Sequence, residues 1–290
     1  MSIIKAINVI HDFISRDYND NEYKVRALDG VNFEVSQGQF ISILGHNGSG
    51  KSSLAKHINA LLTPTEGTLI VSDMDTKSDK DKVKIRQKAG MVFQNPDNQL
   101  VASVVEEDVA FGPENLGLPN DEIWKRINKA LADVNMTAYR YKSPDKLSGG
   151  QKQKVAIAGV MAMEPSCIIL DEPTAMLDPK GRTEIIKSLH ALNREKGITI
   201  LLITHHVEET IDSDKIFVMS KGKIILEGKP SDVYAHADEI NEAGLEVPVA
   251  TKIAYELNKK GINIDCNVVD TDELIEKIDN LYKNKRSNSV

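Results

Sequence analysis

Residues 45–52 read "GHNGSGKS". The pattern G-x-x-x-x-G-K-[ST] describes a loop whose glycines let the backbone wrap around phosphate oxygens. The N–H groups of Gly48, Ser49, Gly50 and Lys51 are expected to point inward. Lys51 supplies a point charge to the outer phosphates, and Ser52 offers a hydroxyl to Mg²⁺. Gly45, His46 and Asn47 complete the loop, and Ser53 follows it. The flanks supply the context such a loop needs: "QFISILG" (39–45) is an apolar run of strand length ending on glycine, and "GKSSLAKHINALL" (50–62) has helical spacing.

Working outward, further apolar runs end on polar residues. "GMVFQ" (90–94) ends on Gln94, "CIILDEP" (167–173) on Asp171 and Glu172, and "ITILLITHH" (198–206) on His205 and His206. Open α/β sheets place ligands at the carboxyl ends of their strands. Strand alternation predicts that Asp171 and Glu172 face opposite sides. Asp171 can then hold Mg²⁺ through water, while Glu172 orients and deprotonates the attacking water. His205 is positioned to hydrogen-bond the terminal phosphate and that water; His206 is expected to face the other way. Gln94 offers a neutral amide to Mg²⁺ and the γ-phosphate. "GRTEIIKSLHALNREKG" (181–197) reads as an amphipathic helix capped by Gly197, and "KIFVMSKGKIILEG" (215–228) as a hairpin around "SKGK".

A second anion-binding feature stands at 147–159, "LSGGQKQKVAIAG". Ser148, Gly149 and Gly150 open a helix, and a helix N-terminus attracts anions. Alone, this could also be an ordinary serine-capped helix start.

Taken in order, these motifs resemble the ATP-binding-cassette superfamily over about residues 1–235. "GHNGSGKS" resembles Walker A, "VFQNP" the Q-loop, "LSGGQ" the signature, "CIILDE" Walker B, "AMLD" the D-loop and "TH" the switch histidine. The resemblance implies an α/β fold, a P-loop NTPase of ABC type. An antiparallel β subdomain and a helical subdomain of about 95–163 would lie within a nucleotide-binding domain of 1–236. A small C-terminal extension, 237–290, would help hold a dimer. It implies ATP and Mg²⁺ as cofactors. It also implies two cassettes head to tail, so that Ser148, Gly149, Gly150 and Gln151 contact the partner's ATP and Asp178 bridges the subunits. An aromatic near the N-terminus would stack on adenine; Tyr18 and Tyr23 both qualify, with Tyr18 favoured for the turn it leaves before "RALDGVNFEV". Three positions depart from the common pattern: Lys154, where arginine is frequent; Met176, in place of the D-loop glycine; and Ser53, in place of threonine.

Longer stretches resemble the energy-coupling-factor group, which includes cobalt-type ATPases: "VFQNPDNQLVASVVEEDVAFGPENLGLP" (92–119), "LSGGQKQKVAIAGVMAMEP" (147–165) and "NEAGLEVPVATKIAYELNKKGI" (241–262). The wording of "NPDNQ" and "AMLDP" is closer to the first of the two paired cassettes. The resemblance implies a second ATPase subunit, identical or not, a membrane coupling protein and a membrane substrate-binding subunit for a vitamin or metal ion. It also implies a peripheral place on the cytoplasmic face of the cell membrane. Glu106, Glu107, Asp108 and Glu114 are then candidates to receive arginines from the coupling protein. Two alternatives share the engine: the ATPase of a conventional binding-protein-dependent importer, and a DNA-associated ATPase.

Composition bounds these readings. The chain has 290 residues, 41% hydrophobic and 27% charged, with a formal net charge of -7. That balance gives no basic field for nucleic acid. No apolar run approaches the about 18 residues that span a bilayer. The N-terminus interleaves polar residues and shows no signal-peptide cleavage site. Two distant cysteines, Cys167 and Cys266, make no disulfide framework. Near the C-terminus, "INIDC" (262–266) reads as a short strand. "DTDELIEKIDNLYKN" (270–284) reads as a helix with Asp270 as N-cap and Glu273 behind it, and "KNKRSNSV" (283–290) as a frayed tail.

Overall fold

The computed structural model describes residues 1–287. Its strands are β1 (Ser2–Arg16), β2 (Glu22–Ser36), β3 (Phe40–Gly45), β4 (Glu66–Val71), β5 (Met74–Asp75), β6 (Ala89–Val92), β7 (Cys167–Asp171), β8 (Thr199–Thr204), β9 (Lys215–Ser220) and β10 (Lys223–Gly228). Its helices are α1 (Lys51–Ile58), α2 (Lys82–Lys88), α3 (Val105–Asn115), α4 (Asn120–Asp133), α5 (Gly149–Met161), α6 (Pro179–Lys196), α7 (Pro230–Tyr234), α8 (Ala237–Glu242), α9 (Val249–Lys259) and α10 (Thr271–Ser287).

A six-stranded sheet of order β10-β9-β3-β8-β7-β6 carries the fold; β9, β3, β8, β7 and β6 run parallel and β10 runs antiparallel to β9. The strands β3, β7 and β8 are buried at every position, as a sheet covered on both faces requires. Their period of two divides them between two cores. Ile168, Leu170, Ile200 and Leu202 pack among α3, α4, α5 and α6. Ile169, Leu201 and Ile203 pack against α1 and a second, antiparallel sheet of order β2-β1-β4-β5. Because β3, β8, β7 and β6 are parallel neighbours, their carboxyl ends share one edge. This α/β frame, with its antiparallel sheet and helical layer, is the expected one.

The 215–228 hairpin forms, with Lys221 and Gly222 at φ +48° and +77°, the positive angles that a two-residue hairpin turn needs. Its turn docks on the phosphate loop: Gly222 N–H donates to the Ser49 carbonyl at 2.9 Å. Gly197 caps α6 at φ +67°. α1 is shorter than the 50–62 pattern, because Asn59 closes it and Ala60 takes φ +53°.

The C-terminal region is helical, but the expected strand at 262–266 does not form. Ile264 and Val268 anchor the segment in a small apolar cluster with Ala250, Ala254 and Leu274. Asn258 donates to the Ile264 carbonyl and Thr251 to the Val268 carbonyl. Side chains of α9 thus take the backbone bonds that a neighbouring strand would otherwise supply. Glu273 pairs with Lys277 at 3.0 Å. Residues 283–287 of the expected tail continue α10; 288–290 lie outside the described residues. A third apolar cluster joins Leu44, Val207, Ile216 and Val218 to Val233, Tyr234, Ala237, Ile240 and Leu245. The polypeptide beyond residue 236 therefore begins within a core shared with the sheet.

Candidate active site

Gly45 ends β3, and the chain turns at once into the phosphate loop. A Cβ at Gly45 would lie 2.5 Å from Ser49 Oγ and 2.7 Å from the Met219 carbonyl. Gly50 adopts φ +104°, and a Cβ there would lie 2.5 Å from the Ala27 carbonyl. Both positions thus admit only glycine, one for space and one for space and angle. Ser49 N–H donates to the His46 carbonyl at 3.2 Å, and His46 Nδ1 meets the Asn47 carbonyl at 2.6 Å, closing the loop on itself. Gly48, at φ +82°, lies in the same curve, and Ser53 stands in the first turn of α1.

Lys51 is 4% exposed, and its ammonium donates to the carbonyls of Gly45 at 2.7 Å and His46 at 3.0 Å. Burial pushes its pKa down, opposed by the charges of Glu172 and Asp171. Ser52 Oγ donates to Asp171 Oδ1 at 2.9 Å. Asp171 is raised above the ordinary carboxylate range by burial, although the Ser52 hydrogen bond pulls the other way. Two oxygen donors on adjacent elements, one a buried carboxylate, suit a hard divalent cation that would restore the ionised form.

Glu172 gathers the remaining groups. Its Oε1 lies 3.7 Å from Lys51 Nζ; its Oε2 accepts from Gln94 Nε2 at 3.2 Å and meets His205 Nδ1 at 3.2 Å. Alternation is not what places it. Glu172 has left the strand, at φ +48°, with its N–H bonded to the Ile203 carbonyl at 2.9 Å. So Asp171 and Glu172 both meet the phosphate-loop segment, Asp171 at Ser52 and Glu172 at Lys51. The same limit applies to the histidines. β8 ends at Thr204, so alternation does not extend to His205 and His206, whose rings lie 4.1 Å apart. Only His205 reaches Glu172.

The signature segment stands elsewhere. Ser148 caps α5: its Oγ accepts the Gln151 N–H at 3.3 Å, and Gln151 Oε1 accepts the Ser148 N–H at 3.0 Å. This reciprocal box contributes about 1 kcal/mol to the helix start and occupies the Gln151 carbonyl. Ser148, Gly149 and Gly150 line an open hollow of about 500 Å³ with Met176, Asp178 and Glu184. Asp178 caps α6 by accepting the Gly181 N–H at 3.0 Å, Met176 is exposed, and Lys154 pairs with Glu184 at 3.1 Å. Among the described residues, no hydrogen bond or ion pair joins residues 148–150 to residues 45–53.

Two expectations sit differently. Tyr18 lies beyond the end of β1, fully exposed in a turn that Asp17 closes by accepting from the N–H groups of Asn19 and Asn21. Another aromatic of this hairpin, Phe13, stands within its paired part. It pairs with Val25, and Ser15 with Tyr23, so Phe13, Val25 and Tyr23 share one exposed face of the hairpin. The Phe13 ring meets His11 edge-on at 4.5 Å, and His11 meets His57 of α1 at 4.4 Å. That face therefore adjoins the helix leaving the phosphate loop. The acidic group at 106–114 is also split. Asp108 is buried, accepting the N–H groups of Val101 and Ala102 at 2.7 and 3.1 Å, and Glu106 pairs with Arg140. Glu107 and Glu114 stay exposed.

Comparisons with known proteins agree with this geometry. The ABC transporter family model matches residues 28–175. The chain is 53% identical over 277 residues to the energy-coupling factor transporter ATP-binding protein EcfA1 of Clostridium novyi (strain NT), covering 96% of this chain and 98% of the relative. Its fold is similar to that of cbiO1 from Clostridium perfringens, described as part of the ABC transporter complex cbiONQ. The TM-score is 0.73 and the identity 40%, over 84% of this chain and 94% of that one. It is also similar to the dimeric ATP-binding cassette MJ0796 in a post-hydrolysis state bound to ADP and Pi, with TM-score 0.69 and 32% identity over 78% of this chain and 98% of that one. A phosphate loop that meets an acidic strand end, a separate serine-capped signature helix, and these matches lead to one conclusion: the chain belongs to the ABC transporter family of ATP-hydrolysing cassettes.

Proposed function

We propose that this chain is the ATP-hydrolysing subunit of an energy-coupling-factor importer for a vitamin or metal ion, and that it works as one half of a cassette pair. The observation that carries the pairing is the separation of the two anion-binding features. Lys51 and Glu172 converge at one end of the sheet, while Ser148–Gly150 open toward solvent beside Met176 and Asp178. Each cassette would hold ATP on its own loop and cover the partner's γ-phosphate with its signature helix N-terminus, where N–H groups favour negative charge.

Within one site, residues 45–53 bind the phosphates, and the Phe13 face receives the base. Ser52 and Asp171, with Gln94, would hold Mg²⁺, which neutralises charge on the β- and γ-phosphates. Glu172 orients and deprotonates water, and His205 steadies Glu172 and the water. Gln94 connects this centre to the segment that leads into α3.

Beside α3 lies a largely apolar groove of about 570 Å³, lined by Leu61, Val83, Phe93, Val101, Phe111 and Leu116. A helix of the membrane coupling protein fits this groove, with exposed Glu107 and Glu114 on α3 to meet its cations. No described helix is long and apolar enough to cross a membrane; the peripheral place on the cytoplasmic face rests on the coupling-protein reading. Residues 237–290 would add a dimer contact through exposed Val249, Ile253, Ile275 and Ile278. Substrate choice would lie in a separate membrane subunit.

Affinity purification of the tagged chain from membranes tests the assembly. It should bring a second cassette and a membrane coupling protein, and Phe111→Asp should release the coupling protein while keeping the second cassette. Recovery of a soluble or lipid-anchored binding-protein system instead would overturn it.

A further inference from the structure

Glu209 ends the short 3₁₀ turn Val207–Glu209 that follows the two histidines, and it is buried at 7% exposure. Both carboxylate oxygens are taken. Oε1 accepts the Thr174 hydroxyl and Oε2 the Thr204 hydroxyl, each at 2.6 Å. Both threonines are themselves buried. An ionised carboxylate only accepts, so two converging hydroxyl donors match it fully, and such charge-assisted bonds are short and strong.

The positions of these donors give the arrangement its meaning. Thr174 stands two residues beyond Glu172, and Thr204 immediately precedes His205. Glu172 and His205 meet at 3.2 Å. The contacts close a ring: Glu172 to His205 by side chains, His205 to Thr204 by backbone, Thr204 to Thr174 through Glu209, and Thr174 back to Glu172 by backbone. Cross-links stiffen it, since Glu172 N–H donates to the Ile203 carbonyl and His206 N–H to Thr204 Oγ1. On its outer side the Thr174 carbonyl accepts the Leu177 N–H at 3.0 Å, which shapes the loop carrying exposed Met176 and the cap Asp178.

We propose that Glu209 is a positioning residue for ATP hydrolysis, holding the strand end that bears His205 against the 173–178 loop so that the Glu172–His205 pair moves as one body with the surface that faces the partner cassette. A partner pressing on Met176 and Asp178 displaces Thr174 and, through Glu209, the backbone before His205. The inference rests on the reading of Glu172 and His205 as the hydrolytic pair. It adds a group that touches neither nucleotide nor water.

The test compares Glu209→Ala, Glu209→Gln, Thr174→Val and Glu172→Gln in the full chain assembled with its second cassette and coupling protein. Steady-state hydrolysis, binding of a fluorescent ATP analogue and thermal unfolding are measured for each. Glu209→Ala should lower kcat roughly 10- to 100-fold, the scale of a small misplacement of reacting groups, with KM and analogue affinity within about twofold. Glu209→Gln keeps one carbonyl acceptor and should fall between. Thr174→Val, which preserves shape, should lower kcat by itself, and adding it to Glu209→Ala should cost little more because the ring is already open. Wild-type kcat in both Thr174→Val and Glu209→Gln would overturn the proposal. So would parallel loss of kcat, analogue affinity and melting temperature, which marks a purely structural role. If Glu172→Gln hydrolyses ATP at the wild-type rate, the hydrolytic pair itself is wrong and the proposal falls with it; if Glu172→Gln is inactive and the other variants are not, the brace alone fails.

Discussion

Lys51 Nζ lies 3.7 Å from Glu172 Oε1, with the two side chains only 4% and 11% exposed. The loop that binds phosphate and the carboxylate proposed to activate water are thus one electrostatic unit. Glu172 is held in it at φ +48° by Lys51, Gln94 and His205, a backbone cost on the order of 1–3 kcal/mol that its partners offset. Glu172→Gln keeps the shape and removes the base. Its hydrolysis rate should fall by about 10²–10⁴-fold. Binding of an ATP analogue should persist, because Lys51 retains its Gly45 and His46 acceptors. Phosphate release and analogue titration measure the two arms; full hydrolysis in the variant would remove Glu172 from its role.

Ser148, Gly149 and Gly150 lie apart from the loop at 45–53 and beside the exposed Met176. Hydrolysis should therefore rise with the square of protein concentration at high dilution. Ser148→Arg puts a bulky cation where the partner's phosphate would sit. It should abolish hydrolysis and leave analogue binding unchanged. A rate strictly proportional to protein at every dilution contradicts the pairing.

His57 gives the fold a pH dependence of definite sign. Burial pushes its pKa down from 6.5 to about 4, and its Nδ1 meets the Ser53 carbonyl at 2.6 Å. The unfolded chain binds this proton near pH 6.5 and the folded chain only near 4. The associated stability is complete above the higher value and is lost as pH falls between the two. Two and a half pKa steps correspond to about 3 kcal/mol. Asp171 works in the opposite sense, because burial raises it and acid relieves the cost, so the wild-type curve mixes both. Denaturant unfolding from about pH 7 to about pH 4.5 should show a flatter acid limb for His57→Leu than for the wild type. Parallel acid limbs would show that His57 does not titrate with folding.

The parts of the site that were legible in the sequence are those whose chemistry is local. A strand, a glycine loop and a helix announce the phosphate site, and apolar runs ending on Gln94, Asp171 and His205 announce the sheet edge. Alternation stops describing side-chain direction just past these strand ends: Glu172, one residue beyond β7, takes a positive φ, and the ring of His206, two beyond β8, lies against that of His205, although His205 is the one that reaches Glu172. A period of two describes only residues still paired in the sheet. Asp108 looked like part of an acidic surface until the fold turned it toward the amides of Val101 and Ala102. The strand expected at 262–266 had the composition but lacked a neighbour to bond it. Glu209 carried no motif, since its meaning depends on Thr174 and Thr204, distant in sequence from each other.

The choice of base platform turns on hairpin register, which sequence spacing does not reveal. Tyr18 follows the last paired residue of β1 and points to solvent from a polar turn. Phe13 lies within the paired region, opposite Val25, and its ring contacts reach α1 through His11 and His57. A stacked aromatic contributes to holding the base without touching the reacting phosphate, so its loss should weaken binding in ground and transition states alike. Phe13→Ala should raise KM for ATP about 5- to 30-fold, the effect of roughly 1–2 kcal/mol, with kcat near wild type. Phe13→Tyr should restore most of the affinity. Tyr18→Ala should leave both parameters unchanged, because no described hydrogen bond ties its side chain to the phosphate loop. Titration of a fluorescent ATP analogue into the three variants decides between the residues. A large KM effect at Tyr18 with none at Phe13 would return the base to the hairpin tip, and would require the turn closed by Asp17 to fold over the loop when nucleotide binds.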